Sequence, residues 1–70
     1  MSRYSMLIQW SDEDRCFVVT LPEFEDVKTH GDSYEEAVRM GKDLIDSCIM
    51  WLRQDGKPLP KPRTFVDSAA

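Results

Sequence analysis

The chain has 70 residues and a formal net charge of −4, and 41% of its residues are hydrophobic. This length allows one small domain, which buries only about 60% of the surface that its unfolded chain exposes. We therefore expect modest stability and support from a second subunit. No run approaches the ~18 apolar residues that a membrane helix needs, and residues 1–4 lead into a strand pattern rather than a signal peptide. We expect a cytoplasmic protein that does not enter a membrane.

The charge is unevenly distributed along the chain. Residues 1–52 contain five Lys or Arg against eleven Asp or Glu, whereas residues 53–70 contain four against two. An acidic body repels phosphate backbones, so a basic protein is a better electrostatic match than a nucleic acid. The alternative is that the acidic surface only keeps the protein in solution.

Two cysteines and one histidine limit the chemistry that the chain can support. Cys16 and Cys48 are too few for a disulfide framework, and the single His30 without a C-x-x-C pair makes no zinc site. No second histidine exists to activate either thiol as a nucleophile. We expect no catalytic residue, no metal and no cofactor, with both cysteines acting as small apolar residues.

The first half of the chain predicts three antiparallel strands. Alternation of apolar and polar residues over 4–10 and 16–21 predicts two strands joined by a polar turn. Pro22 cannot donate to a strand ladder and ends the second strand, and residues 27–30 predict a third. One face of such a sheet needs an apolar cover.

A long amphipathic helix is predicted from residue 33 to about residue 54. Ser33 and Glu36 form a capping box, and Gly56 supplies the left-handed residue that ends the helix. Spacings of three and four place the following apolar residues on one face: Tyr34, Ala37, Val38, Met40, Gly41, Leu44, Ile45, Cys48, Trp51 and Leu52. The sequence therefore predicts an α+β fold, in which one long helix packs on one face of a three-stranded antiparallel sheet. Gly41 would let the helix approach the sheet closely.

The helix is followed by a segment with alternate prolines at positions 58, 60 and 62. Prolines at this spacing forbid a helix and favour an extended chain. We predict that residues 57–70 form a Pro-rich extended tail of a single domain that spans residues 1–70. Residues 64–66 (Thr-Phe-Val) could add a short fourth strand, in this subunit or in a neighbour.

Several of these segments resemble the HicB antitoxin family. They are the N-terminal hairpin with Tyr4 and Trp10, the corner Leu21-Pro22-Glu23-Phe24, the helix start Gly31-Asp32-Ser33-Tyr34-Glu35-Glu36-Ala37 and the tail Gly56-Lys57-Pro58-Leu59-Pro60-Lys61-Pro62. The resemblance spans roughly residues 4–62. It implies a partial ribonuclease-H-like fold that assembles as homodimers or homotetramers. It also implies that the domain neutralises HicA, a small basic toxin that cleaves RNA using a histidine.

Full-length members of that family usually continue into a helix-turn-helix or ribbon-helix-helix segment that binds the operator. Residues 57–70 of this sequence have no such pattern. We therefore expect a HicB-like domain without direct DNA binding.

Two sets of residues are candidates for contacts with partners. Acidic residues predicted in two loops at opposite ends of the second strand would steer and dock a basic protein, unless they are only solvated turns; they are Asp12, Glu13, Asp14, Glu23, Glu25 and Asp26. A domain with one helix has too little interior for all its large apolar residues. An oligomer interface, or alternatively ordinary core, is therefore expected at Trp10, Met50, Trp51 and Phe65.

Three functional hypotheses remain open. The first is a non-enzymatic HicB-like protein that binds and occludes a small basic HicA-like toxin. The second is a solitary HicB-like oligomer that has a regulatory or structural role and no toxin partner. The third is a degenerate nuclease-like enzyme that uses His30, Asp32 and Glu36, although helix capping already explains both carboxylates.

Overall fold

The computed structural model describes residues 2–67 as a three-stranded antiparallel sheet with one long helix on one face. The elements in chain order are β1 (Leu7–Ser11), β2 (Cys16–Leu21), a short 3-10 helix (Pro22–Phe24), β3 (Val27–Gly31) and α1 (Tyr34–Gln54). The predicted α+β fold is confirmed.

The central strand of the sheet is β2, and β1 and β3 are its two edges. Val19 of β2 has Ile8 of β1 and Thr29 of β3 as its Cα partners. Because side chains alternate along a strand, Val19 and Leu21 point towards α1 and are fully buried. The buried core consists of Val19, Leu21, Phe24, Ala37, Ile45 and Cys48.

The first strand begins at Leu7, three residues later than the apolar alternation predicts. The Tyr4 hydroxyl donates to the Pro60 carbonyl at 2.7 Å, and the Ser5 backbone N–H donates to the Glu23 carboxylate at 3.1 Å. These residues therefore bond to the tail and to the 3-10 helix instead of extending the strand ladder.

Both ends of α1 follow local sequence signals. The Ser33 hydroxyl accepts from the Glu36 N–H at 3.0 Å, and the Glu36 carboxylate accepts from the Asp32 N–H at 2.8 Å. In the usual capping box the Glu36 carboxylate would accept from the N–H of the N-cap, Ser33. Here the donor is the residue before it, Asp32. At the other end, Gly56 has a φ of 68° and its N–H donates to the Arg53 carbonyl at 3.1 Å. This left-handed glycine ends the helix as predicted.

Although α1 is 21 residues long, its outer face is polar and carries exposed charged residues such as Lys42, Asp43 and Asp46. Within residues 2–67 no helix is both long enough and apolar enough to span a membrane.

Two glycines set how closely α1 approaches the sheet, where it lies mainly over β2 and β3. A Cβ at Gly31 would lie 2.5 Å from the backbone nitrogen of Ala37 and 2.8 Å from its Cα. A Cβ at Gly41 would meet the side chains of Met6 and Val19. The close approach expected at Gly41 is confirmed, and Gly31 provides a second one that the sequence did not reveal.

The tail, residues 57–67, has no regular secondary structure, so the possible fourth strand at residues 64–66 does not form in this subunit. The tail nevertheless docks on its own domain, because the Arg63 N–H donates to Glu23 at 3.0 Å and the Ser5 hydroxyl donates to the Arg63 carbonyl at 3.2 Å. The last three positions of the predicted tail, 68–70, lie outside the described residues.

We expect Gly31→Ala to lower the free energy of unfolding by about 2 kcal/mol, because the new Cβ would press on backbone atoms of α1 rather than on movable side chains. Urea unfolding followed by circular dichroism measures the loss. Gly41→Ala is the matched control. Its nearest neighbours would be side chains, and alanine favours the helix, so its loss should be smaller. A Gly31→Ala variant as stable as the parent would contradict this packing of α1.

Candidate functional site

Three aromatic side chains, Trp10, Phe17 and Tyr34, form a row across one end of the sheet. Trp10 near the end of β1 is the Cα partner of Phe17 on β2, and Tyr34 is the first residue of α1. The Trp10 and Phe17 ring centroids are 5.1 Å apart at an interplanar angle of 71°, and those of Phe17 and Tyr34 are 4.3 Å apart at 32°. Aromatic pairs favour such offset and edge-on geometries, so the ring contacts stabilise this aromatic row.

The aromatic row is open to solvent at both ends, where Trp10 is 50% and Tyr34 66% exposed. Trp10 is exposed because α1 lies mainly over β2 and β3 and leaves β1 largely uncovered. Tyr34 was expected on the buried face of the helix. It is exposed because side chains of a helix lean towards its N-terminus, and at the first helical residue no earlier turn lies beneath the ring. Exposed aromatics are typical of protein interfaces.

Acidic residues border the aromatic row. The turn after β1 and the start of α1 lie at the same end of the sheet, because β1 and β3 run in the same direction on either side of β2. Together they present five exposed carboxylates, here called the acidic end: Asp12, Glu13, Asp14, Asp32 and Glu35. Within residues 2–67, no lysine or arginine lies at ion-pair distance from any of them. The five carboxylates also outnumber the nearby cations, which are Arg15 in the same turn and Lys28 beside Asp14 and Asp32.

Local hydrogen bonds fix the turn that carries three of these carboxylates. The Trp10 indole N–H donates to Asp12 at 2.9 Å, which orients the ring. The Ser11 hydroxyl donates to Asp14 at 3.3 Å and accepts from the Asp14 N–H at 3.1 Å. Arg15, with a φ of 56°, closes the turn by donating its N–H to the Ser11 carbonyl at 2.8 Å.

This combination of groups suits a cationic partner. Carboxylates attract guanidinium and ammonium groups, and the faces of aromatic rings add cation–π attraction of about 0.5–1 kcal/mol at an exposed site. The aromatic row is a surface rather than a closed cavity, so it is suited to a macromolecule more than to a small ligand.

Sequence reasoning missed Phe17 and Tyr34 as members of this surface. A signal was available for Phe17, because a short turn between two alternating strands makes it the cross-strand neighbour of Trp10. For Tyr34 the only signal was its position directly after the N-cap Ser33. Helical periodicity gives the face of a residue but not the point at which the sheet beneath it ends.

The six acidic residues predicted to dock a partner do not form one surface. One group, Asp12, Glu13 and Asp14, lies just before the start of β2. The other group, Glu25 and Asp26, lies beyond the end of β2, directly after the 3-10 helix. The six residues of β2 separate the two groups by about 20 Å. The predicted placement of the two groups at opposite ends of this strand is confirmed, but Glu23 lies in the 3-10 helix and not in a loop. One small epitope cannot contact both groups.

The sixth acidic residue, Glu23, differs from the expectation of a solvated loop, because only 8% of it is exposed. Its Oε2 accepts from the Arg63 N–H and the Ser5 hydroxyl, both at 3.0 Å, and from the Ser5 N–H at 3.1 Å. We call Ser5, Glu23 and Arg63 the Glu23 clasp, since the carboxylate joins the N-terminal segment to the tail. Its hydrogen bonds are internal, so Glu23 is removed from the candidate docking residues.

Two opposing effects act on the pKa of Glu23. Burial raises the pKa, but the hydrogen bonds from Arg63, from its own backbone and from Ser5 favour the charged form and hold the pKa below its ordinary value. The ionised carboxylate therefore stabilises the fold. This contribution is fully present above the unfolded-state pKa of about 4.3 and is lost as the pH falls through the lower folded-state value.

The residues of the nuclease hypothesis are not assembled into one site. His30 and Asp32 line a depression of about 580 Å³ on the face of the sheet away from α1. The Glu36 carboxylate is instead engaged in the helix cap and lies 3.8 Å from the Arg39 guanidinium. Among residues 2–67, no three His, Cys, Asp or Glu side chains are placed to hold a metal ion.

Both cysteines are buried free thiols. Burial raises the pKa of the Cys48 thiol, which keeps it protonated and a poor nucleophile. Cys48 belongs to the apolar core, as its place on the helix predicts.

The four residues predicted for an oligomer interface are all exposed, but they lie in three places. Trp10 belongs to the aromatic row, Met50 and Trp51 lie near the C-terminal end of α1, and Phe65 lies in the tail. They therefore belong to more than one surface.

We expect Glu23→Gln to lower the free energy of unfolding by about 1–3 kcal/mol at neutral pH, because the amide places its NH₂ group against N–H donors. Urea unfolding at neutral pH and near pH 3 measures this. The parent should lose more stability on acidification than the variant. The difference between their free energies of unfolding should therefore be smaller near pH 3 than at neutral pH. Glu25→Gln, at an exposed position, is the control and should change stability by less than about 0.5 kcal/mol. An equal difference between parent and Glu23→Gln at both pH values would contradict the role of the ionised carboxylate.

No protein-family model, no curated protein and no solved structure matches this chain significantly. The case for a function therefore rests on the residues and the geometry described above.

Proposed function

We propose that this protein is a non-enzymatic, HicB-like antitoxin-type protein that binds and occludes a small basic HicA-like toxin that cleaves RNA. The observation that carries the proposal is the exposed aromatic row bordered by the acidic end, none of whose carboxylates forms an ion pair within residues 2–67. A basic partner would supply the missing positive charges. The sequence resemblance to the HicB family names the kind of partner.

Inhibition would proceed in two physical stages. The acidic end first attracts the basic protein, which raises the association rate more than the affinity. The aromatic row then packs against the docked surface and excludes water, which slows dissociation.

Occlusion follows from what an RNA-cleaving protein must recognise. Such a protein binds phosphates through lysine and arginine and stacks unpaired bases on aromatic or guanidinium groups. The carboxylates of the acidic end can replace the phosphates, and the rings of Trp10 and Tyr34 can replace the bases. The antitoxin would thus compete with RNA for one basic surface, in the cytoplasm where cellular RNA is found.

A second candidate function is a solitary HicB-like oligomer with a regulatory or structural role and no toxin partner. It is favoured by the apolar side chains exposed far from the acidic end, Met50, Trp51 and Phe65. Self-assembly as a homodimer or homotetramer is compatible with both candidates.

The tagged protein should capture a small basic protein from its native cells. Once released, the captured protein should cleave RNA, and adding the parent protein back should inhibit this cleavage. The double variant Glu13→Lys/Glu35→Lys should weaken this inhibition at least about tenfold at low salt, since it reverses two carboxylates of the acidic end. Neither side chain makes a hydrogen bond within the described chain, so the fold should survive.

The matched control is Asp43→Lys/Asp46→Lys, which makes the same change of net charge on the outer face of α1. It should inhibit nearly as well as the parent. Failure to capture any RNA-cleaving protein would favour the solitary oligomer. Equal loss of inhibition in both double variants would show that overall charge, and not the acidic end, attracts the toxin.

A further inference from the structure

A second exposed apolar region lies at the end of the molecule opposite the acidic end. A groove of about 450 Å³ lies between the 3-10 helix, the C-terminal part of α1 and the first residues of the tail. Its apolar lining consists of Phe24, Val27, Cys48, Trp51, Leu52, Pro58, Leu59 and Pro60. Half of Trp51 is exposed there, so the groove has no cover in a single copy of the chain.

The same chain carries two large apolar side chains at the end of its tail that are almost fully exposed. Phe65 is 89% and Val66 76% exposed, although both are residues that proteins prefer to bury. In a free monomer they gain no free energy from burial, which a surface that covers them would supply. Their exposure is explained if another surface covers them.

Phe65 does not fill the groove of its own chain, and the path of the tail opposes its entry. Residues 57–60 form one wall of that groove, and the Glu23 clasp holds the backbone of Arg63 beside Ser5. To enter its own groove, Phe65 would have to fold back over this wall within five residues. Pro60 and Pro62 oppose such a reversal because each fixes one backbone dihedral angle of an extended segment.

Acidic side chains outnumber basic ones around the groove, where Lys57 is the one basic residue in the described lining, and the tail carries the opposite charge. Lys61 and Arg63 precede Phe65, and within residues 2–67 neither is in an ion pair with an acidic side chain. Glu25 lines the groove, and the neighbouring Asp26 is exposed beside it. A tail that arrives from outside would therefore bring cations towards carboxylates while its apolar end enters the groove.

We propose that this groove is the docking site for the tail of a second copy of this chain, with Phe65 and Val66 of each copy seated in the groove of the other. Such a reciprocal exchange is closed by a twofold axis, so it yields a dimer rather than a filament. Each tail contributes roughly 300 Å² of exposed side-chain surface. Two tails bury about 600 Å² of their own surface, and the two grooves that they cover bury a similar area. The total buried surface is then about 1,200 Å², the lower bound for a specific interface.

The dimer leaves the acidic end free, because the groove and the aromatic row lie at opposite ends of the sheet. The inference therefore does not depend on the proposed toxin, and either can fail without the other.

Analytical ultracentrifugation over a range of micromolar concentrations tests the proposal. The parent should sediment as a dimer, and Phe65→Ser/Val66→Ser should sediment as a monomer with an unchanged circular dichroism spectrum. Leu7→Ser is the matched control, because it removes an exposed apolar side chain on the other side of the sheet. It should remain dimeric. A monomeric parent, or a dimeric Phe65→Ser/Val66→Ser variant, would overturn the proposal.

A cross-linking experiment locates the contact. The variant Phe65→p-benzoylphenylalanine keeps an aromatic group at the tail, and mixing ¹⁴N and ¹⁵N chains distinguishes links between copies from links within one. Irradiation should join position 65 of one copy to Trp51, Leu52 or Leu59 of the other. Links found only within one chain, or between copies at the outer face of the sheet, would overturn the proposed arrangement.

Discussion

A single helix has to cover a three-stranded sheet, and the glycines at its contact with the sheet decide where it lies. At Gly31 the backbone of α1 approaches β3 too closely for any side chain, and at Gly41 the helix packs against Met6 and Val19. The helix therefore lies mainly over β2 and β3. The strand left largely uncovered is β1, which carries Trp10. The same packing that stabilises the core thus exposes the aromatic row.

The rest of the apolar surface is covered by segments without regular structure. Tyr4 packs its ring against Phe24 at a centroid distance of 4.7 Å and bonds to Pro60 of the tail. The Glu23 clasp joins these same segments through a buried, ionised carboxylate. The tail that the clasp holds also forms a wall of the groove, and Glu23 itself lines the groove. Electrostatics and packing are therefore coupled at the end of the molecule opposite the acidic end.

Features set by local chemistry were predictable from the sequence. The ends of α1 are set by residues that lie at those ends, namely Ser33, Glu36 and Gly56. The observed helix bounds therefore agree closely with the prediction. Pro22 likewise marks the end of β2. The α+β arrangement follows because, within residues 2–67, one amphipathic helix is the only long apolar surface available to cover the sheet.

Features that depend on distant parts of the chain were not predictable. From the sequence, Glu23 is predicted to be one more acidic loop residue. The groups that bond it, Ser5 and Arg63, are 18 and 40 residues away in the chain, so local sequence gives no sign of them. The exposure of Tyr34 follows from its place at the first residue of α1, where no earlier turn lies beneath the ring, and periodicity does not encode this. The short β1 has the same origin, since residues 4 and 5 bond to the tail and to Glu23.

The two tryptophans lie at opposite ends of the molecule and give one direct test of which surface binds the proposed basic partner. In ¹H–¹⁵N spectra of the labelled chain, the Trp10 indole N–H reports on the acidic end through its bond to Asp12, and the Trp51 indole N–H reports on the groove. Titration with the proposed RNA-cleaving partner should shift the Trp10 signal and the backbone amides of residues 12–14 and 34–36, and leave the Trp51 signal in place. A shift of the Trp51 signal with an unchanged Trp10 signal would contradict the assignment of the partner to the acidic end.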